Sequence, residues 1–83
     1  MTRIRRRLLL AVFLVAIPAI ALAQEAYTSR TSNVRAGPDR SYPVVATLPP
    51  GAGLQVMGCI EDYSWCDVVF ADNRGWIYAG SLV

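Results

Sequence analysis

The stretch Leu54–Phe70 reads L-Q-V-M-G-C-I-E-D-Y-S-W-C-D-V-V-F, and its pattern predicts the fold of the chain. It contains two short apolar runs, Leu54–Ile60 and Trp65–Phe70, which are separated by the polar loop Glu61–Ser64. Short apolar runs bounded by turn-forming residues are typical of β-strands. We therefore predict a β-hairpin, and alternation places four residues on one face of its first strand: Leu54, Val56, Gly58 and Ile60.

Cys59 and Cys66 lie in the two arms of this hairpin. Directly opposite residues of a non-hydrogen-bonded antiparallel pair have Cα atoms about 4.5 Å apart, which is within disulfide range. A zinc site is less favoured because the chain has no histidine, and a redox site would prefer the spacing C-x-x-C. We predict a structural disulfide, which contributes about 2.5 kcal/mol in the loop-closure model.

The rest of the chain also alternates short apolar runs with turn residues, and no helical period is present. We predict further strands at Tyr27–Val34, Val44–Leu48 and Gly75–Tyr78, after a frayed terminus at Gln24–Thr28. The connections are Arg35–Pro43, Pro49–Gly51 and Ala71–Arg74, with a single helical turn at most over Ala79–Leu82. About five short antiparallel strands indicate an all-β domain, a small bent barrel without exposed edges.

The amino-terminal segment has the three parts of a secretory signal. Four arginines precede the apolar run Leu8–Ile17, and small residues lead to Ala21-Leu22-Ala23. The uncharged stretch that ends at Ala23 has sixteen residues and is interrupted by Pro18, whereas a spanning helix needs about twenty. We expect a signal peptide over residues 1–23 and a single periplasmic or secreted domain over residues 24–83. Retention as a membrane anchor is the alternative.

The basic character of the chain belongs to this segment. Residues 24–83 hold four arginines, no lysine and six acidic residues, a formal charge of −2. Such a domain lacks the basic patch that binds phosphates. We therefore expect no nucleic-acid partner, and no membrane partner after cleavage.

The chain resembles the bacterial SH3-like (SH3b, SH3_3-type) domain family in five stretches of the right order and spacing. They are N-V-R-A-G-P from Asn33, S-Y-P-V-V-A-T-L-P-P-G from Ser41, L-Q-V-M-G-C from Leu54, W-C-D-V from Trp65 and R-G-W-I-Y-A-G-S-L from Arg74. The resemblance implies an SH3-like barrel with a 3-10 turn near its C-terminus, and a cysteine pair similar to that of a secreted subgroup. It also implies a non-enzymatic module that binds peptidoglycan peptide or a protein segment. We expect the domain to be a monomer.

The aromatic residues are the candidate binding residues, although a small barrel also uses aromatics in its core. Trp65 fits the core better, because it continues the apolar pattern toward Val68. Trp76 and Tyr78 share one face of the last strand, and Ile77 lies on the opposite face. Gly75 in the same strand lets a neighbouring part of the chain approach the backbone closely. Tyr42 in the first loop and Tyr63 at the hairpin tip complete the candidate aromatic set.

Loop acids Asp39 and Asp62 are candidates for contacting an amine at the rim of this site, although Asp39, Glu61 and Asp62 also fit a solvated surface. Arg35 is expected to hold the first loop rather than to bind ligand. An enzyme is not expected, because the chain has no histidine, no lysine and no nucleophile paired with a base. We expect no cofactor and no metal. The alternative function is a periplasmic adaptor, structural subunit or inhibitor that binds a protein partner through its aromatic face.

Overall fold

The computed structural model describes residues 23–83, so the predicted signal peptide over residues 1–23 lies outside the described residues, apart from Ala23. The described chain contains six β-strands and one 3-10 turn. In chain order they are β1 Gln24–Tyr27, β2 Ser32–Arg35, β3 Val44–Leu48, β4 Gly53–Cys59, β5 Trp65–Phe70, β6 Asn73–Tyr78 and the 3-10 turn Ala79–Ser81. The all-β prediction is confirmed, with six strands in place of about five.

All six strands belong to one antiparallel sheet with the order β1-β4-β5-β6-β2-β3. The sheet bends into a barrel-like shape but does not close, so β1 and β3 remain its edges. The two ends of the described chain meet, because the backbones of Tyr27 and Val83 exchange hydrogen bonds of 3.1 and 2.8 Å. No helix in residues 23–83 has the length and apolar character needed to cross a membrane.

The core is formed by alternate residues of the central strands. Val34, Val68 and Ile77 are completely buried and pack with three further buried residues, Leu54, Cys66 and Phe70. Gly75 makes this packing possible, because a Cβ atom there would lie 2.5 Å from a methyl carbon of Val34. The expected close approach at Gly75 is therefore confirmed.

The predicted strand Tyr27–Val34 is wrong, because the ladder breaks at Thr28. The buried hydroxyl of Thr28 donates to the carbonyl oxygen of Pro49 at 2.7 Å and accepts from the backbone N–H of Ala52 at 2.9 Å. The backbone N–H of Thr28 also donates to the Ala52 carbonyl at 3.0 Å. These bonds connect Thr28 to the loop before β4. The predicted frayed terminus is the ordered strand β1, which pairs with β4.

Strand β4 contains a bulge that the alternation did not predict. Val56 pairs with Val68, but Gly58 pairs with Asp67, so Met57 is an extra residue. Gly58 therefore leaves the core face, which corrects the predicted face of this strand. The same shift brings Cys59 opposite Cys66.

The disulfide prediction is confirmed: Cys59 and Cys66 are bonded cross-strand partners with Cα atoms 4.0 Å apart. The last strand begins earlier than predicted, at Asn73, because a two-residue turn is enough to reverse the chain. Ala71 and Asp72 form this turn with φ values of 43° and 64°. The expected helical turn at the C-terminus is the 3-10 turn.

Candidate functional site

Tyr78 ends β6, and its ring contacts two other side chains. The Trp65 ring meets it edge-to-face with centroids 5.9 Å apart, and the Arg40 guanidinium lies 6.0 Å from the Tyr78 centroid. Both arrangements are attractive. Trp65 is buried as predicted, whereas Tyr78 is 40% exposed. We call Arg40, Trp65 and Tyr78 the Tyr78 surface, in which an accessible ring has a fixed position.

The first loop, residues 36–43, is closed by backbone and arginine hydrogen bonds. The N–H of Ala36 donates to the carbonyl of Pro43 at 3.0 Å. Nη1 of Arg35 donates to the carbonyls of Arg40 and Tyr42 at 3.1 and 3.0 Å. The predicted role of Arg35 in holding the loop is therefore confirmed, and this role helps to place Arg40 beside Tyr78.

Tyr42 lies over Gly37 in the same loop and remains 45% exposed. A Cβ atom at Gly37 would lie 2.5 Å from the Tyr42 ring, so only glycine allows this contact. One side of the Tyr42 ring thus packs against the loop backbone at Gly37. Its outer face stays accessible.

The second loop, residues 61–64, reaches the same end of β6. The N–H of Ala79 donates to the Ser64 carbonyl at 2.8 Å, directly after Tyr78. Tyr63 has a left-handed φ of 58° and is 75% exposed. A bulky residue rarely adopts this conformation, which costs about 1 kcal/mol or more. The loop therefore holds an aromatic ring out to solvent at a conformational cost.

The loop acids Asp39 and Asp62 each close a turn onto the second residue after them. The Asp39 carboxylate accepts from the N–H of Ser41 at 2.8 Å. Asp62 accepts from the hydroxyl and the N–H of Ser64 at 2.6 and 3.0 Å. Hydrogen bonding by the serine hydroxyl and then by its N–H lowers the pKa of both carboxyls, so both are ionised at neutral pH. The two acids shape the loops, and they remain exposed at the rim.

Trp76 is half-buried, and it lies two residues before Tyr78 on the same strand. Its cross-strand partners are Asp67 on β5 and Arg35 on β2. Asp67 also accepts two hydrogen bonds from Arg74, of 3.0 and 2.7 Å. Trp76 is therefore a half-buried residue on the same face of β6 as Tyr78.

The structure thus places the predicted site residues around one end of β6. Trp76 and Tyr78 share a face, and the two loops that carry the other candidates approach Tyr78 and Ala79 from separate parts of the chain. No contact joins Tyr42 to Tyr63 directly. Arg40 and the buried Trp65 were absent from the predicted set, because their contacts with Tyr78 arise only from long-range pairing.

The comparisons with known proteins agree with this architecture. A family model described as the bacterial SH3 domain matches residues 29–83. The chain belongs to the bacterial SH3 domain family. No curated protein and no solved structure gives a significant match. Bacterial SH3 domains are in general non-catalytic modules that bind peptide, protein or cell-wall ligands. The match begins after β1.

Proposed function

We propose that this bacterial SH3 domain is an exported module that binds an extended peptide, with cell-wall peptide as the favoured ligand. The observation that carries the proposal is the Tyr78 surface, an exposed ring held between Trp65 and Arg40. Rigid aromatic rings lose little conformational entropy on contact, which makes them effective anchors. Tyr42 and Tyr63 extend the contact area from the two loops.

The charges at this site suit a ligand that carries both amines and carbonyl or carboxylate groups. The Arg40 guanidinium offers hydrogen-bond donors beside the Tyr78 ring. Asp39 and Asp62 offer ionised carboxylates on either loop, with hydrogen-bonding capacity beyond the bonds to serine. Cell-wall peptides and protein segments share this mixed chemistry, so the site residues alone do not distinguish the two sources.

A periplasmic adaptor that binds a protein partner is the second candidate. The observation that favours it is an apolar extension on the edge strand β3, where Val44 and Val45 are both about half exposed. Apolar surface next to aromatic anchors is typical of protein interfaces.

The experiment is a parallel capture on intact sacculi and on periplasmic extract. Tyr42→Ala and Tyr63→Ala should each weaken capture by about tenfold, with little change in thermal stability. Val83→Ala, which removes an apolar side chain about as exposed as Tyr63 from a residue whose backbone is hydrogen-bonded to Tyr27, is the matched control and should bind normally. Loss of capture on sacculi supports the wall ligand, and loss only in extract supports the adaptor. Normal capture by both tyrosine variants would contradict the site.

Export is part of the same proposal. The disulfide fits an oxidising compartment such as the periplasm or the exterior, and the predicted cleavage follows Ala23. Mass spectrometry of the periplasmic protein should find an amino terminus at Gln24. Recovery of the full-length chain in the membrane alone would contradict cleavage.

A further inference from the structure

A cavity of about 410 Å³ lies at the opposite end of the β5–β6 hairpin from the Tyr78 surface. Strands β1 and β4 form one side of it, and the end of β5 with the turn Ala71–Asp72 forms the other. This volume is within the range of small-ligand sites. Strand β1 precedes the residues that match the family model, so one side of the cavity lies outside the matched range.

The lining of this cavity combines an apolar surface with negative charge. Its charged residues are the two carboxylates Glu25 and Asp72, and Gln55 adds an amide. Tyr27, which is 51% exposed, supplies an aromatic wall. The remaining residues are small or apolar: Ala26, Gly53, Leu54, Val69, Phe70 and Ala71. A cation on an apolar stem complements such a lining.

The nearest arginine along the sheet does not neutralise these carboxylates. Glu25, Gln55, Val69 and Arg74 form one cross-strand row, so Arg74 is the next residue beyond the cavity. Its guanidinium is engaged with both carboxylate oxygens of Asp67, at 3.0 and 2.7 Å. Within residues 23–83, neither Glu25 nor Asp72 takes part in a salt bridge. The cavity therefore retains its negative charge.

We propose that this cavity binds the primary ammonium group of an alkylamine, as on a lysine-type side chain or a free diamine. The ammonium would lie with Glu25 and Asp72, and the methylene stem would pack against Tyr27 and Phe70. A metal ion fits less well, because no group of three potential ligands occurs in the described part of the chain. This site is separate from the Tyr78 surface and does not depend on its function.

The test is an NMR titration of the isotopically labelled chain, expressed from its full sequence and isolated in the form that its host accumulates. The probes are Nα-acetyl-lysine amide, cadaverine and the uncharged doubly acetylated lysine amide. Both amines should shift the backbone signals of Gln55, Ala71 and Asp72 in a saturable way, and the uncharged probe should not. Saturation by the lysine derivative alone assigns the site to peptide side chains, whereas saturation by both probes assigns it to alkylamines in general.

Paired variants test the carboxylates. Glu25→Gln with Asp72→Asn removes both charges at nearly constant shape, and asparagine tolerates the left-handed φ of position 72. This variant should weaken amine binding by about tenfold or more. Glu61→Gln removes a charge from the other end of the molecule and should leave binding unchanged. Absence of saturable shifts in the unmodified chain, equal shifts with the uncharged probe, or equal weakening by Glu61→Gln would each overturn the proposal.

Discussion

Strand β5 forms one hairpin with β4 and another with β6, and the two are closed in different ways. The β4–β5 hairpin has the four-residue loop 61–64, the Cys59–Cys66 disulfide and the two hydrogen bonds that Asp62 accepts. The β5–β6 hairpin has only the two-residue turn Ala71–Asp72. An Asn73 side chain that donates to the Ala71 carbonyl at 3.0 Å supports this turn.

Both hairpins need left-handed residues to reverse the chain, but they differ in the side chains placed there. Ala71 and Asp72 are small, and aspartate tolerates positive φ. Tyr63 is bulky and has most of its side chain in solvent. The cross-linked hairpin thus carries a conformational cost that glycine would avoid. We infer that the extra constraints on this loop hold an exposed ring in place for contact with a ligand.

Among the substitutions that test the difference between the two hairpins, removal of the disulfide should have the largest effect on stability. Cys59→Ala with Cys66→Ala should lower the free energy of unfolding by about 2 kcal/mol in urea denaturation, because the unfolded chain is no longer cross-linked. Amide exchange should accelerate most around loop 61–64 and least around the turn at Ala71. The reduced unmodified protein is the control and should show a similar loss. An unchanged urea midpoint would mean that the disulfide does not constrain the domain.

Two substitutions of Tyr63 separate the conformational cost of its left-handed backbone from the contribution of its ring to ligand binding. Tyr63→Gly relieves the left-handed conformation, whereas Tyr63→Ala removes the ring and leaves most of the strain. The glycine variant should be the more stable of the two by about 1 kcal/mol in thermal or urea unfolding. Both should weaken capture of the ligand by a similar factor. Normal capture by both variants would show that the ring is not needed.

The turn of the other hairpin offers a smaller, matched test. Ala71→Asn places a residue that tolerates left-handed φ at the first turn position and should stabilise the domain by about 0.5 kcal/mol. Capture by the Tyr78 surface should not change, because the turn lies at the opposite end of β5. If capture weakened as much as in Tyr63→Gly, the two hairpin ends would be coupled, and the functional distinction between them would be wrong.

Much of the fold was predictable from local patterns. The apolar runs gave β3 and β5 with their observed bounds, and the spacing of Cys59 and Cys66 predicted their pairing. Alternation also placed Trp76 and Ile77 on opposite faces: Ile77 is completely buried and Trp76 is only partly so. These features depend on residues that are neighbours in the sequence or lie in one hairpin.

The features that the sequence did not predict depend on distant contacts. The break at Thr28 arises from hydrogen bonds to Pro49 and Ala52, more than twenty positions away. The bulge at Met57 lies beside Gly58, and an isolated glycine within a strand is a bulge signal that the alternation did not take into account. The bulge decides whether Cys59 faces Cys66, because strict alternation would place Cys59 on the opposite face.

In the candidate site, too, the sequence predicted the roles that depend on neighbouring residues and missed those that depend on distant contacts. Arg35 was predicted to hold the first loop because it flanks that loop in the sequence, and its bonds to two carbonyls confirm this role. Arg40 was missed, because nothing near it in the sequence indicates a contact with Tyr78, which is thirty-eight positions later. The binding roles of Asp39, Tyr42, Asp62, Tyr63, Trp76 and Tyr78 stay predictions.

The smallest expected effect concerns the pKa of Asp62, which is lowered from its ordinary value of 3.8 first by the Ser64 hydroxyl and then by the Ser64 N–H. Because the folded protein favours the ionised carboxylate, this contribution to stability is fully present above about pH 4 and is lost as the pH falls through the folded pKa. An NMR titration of the Asp62 carboxyl carbon should therefore find a midpoint below 3.8. Ser64→Ala removes the first cause and should raise the midpoint, whereas Ser41→Ala, at the equivalent position after Asp39, should leave it unchanged. A midpoint that did not move in Ser64→Ala would show that the hydroxyl does not hold the loop, and that the disulfide and the Ser64 N–H bond to Asp62 constrain Tyr63 without it.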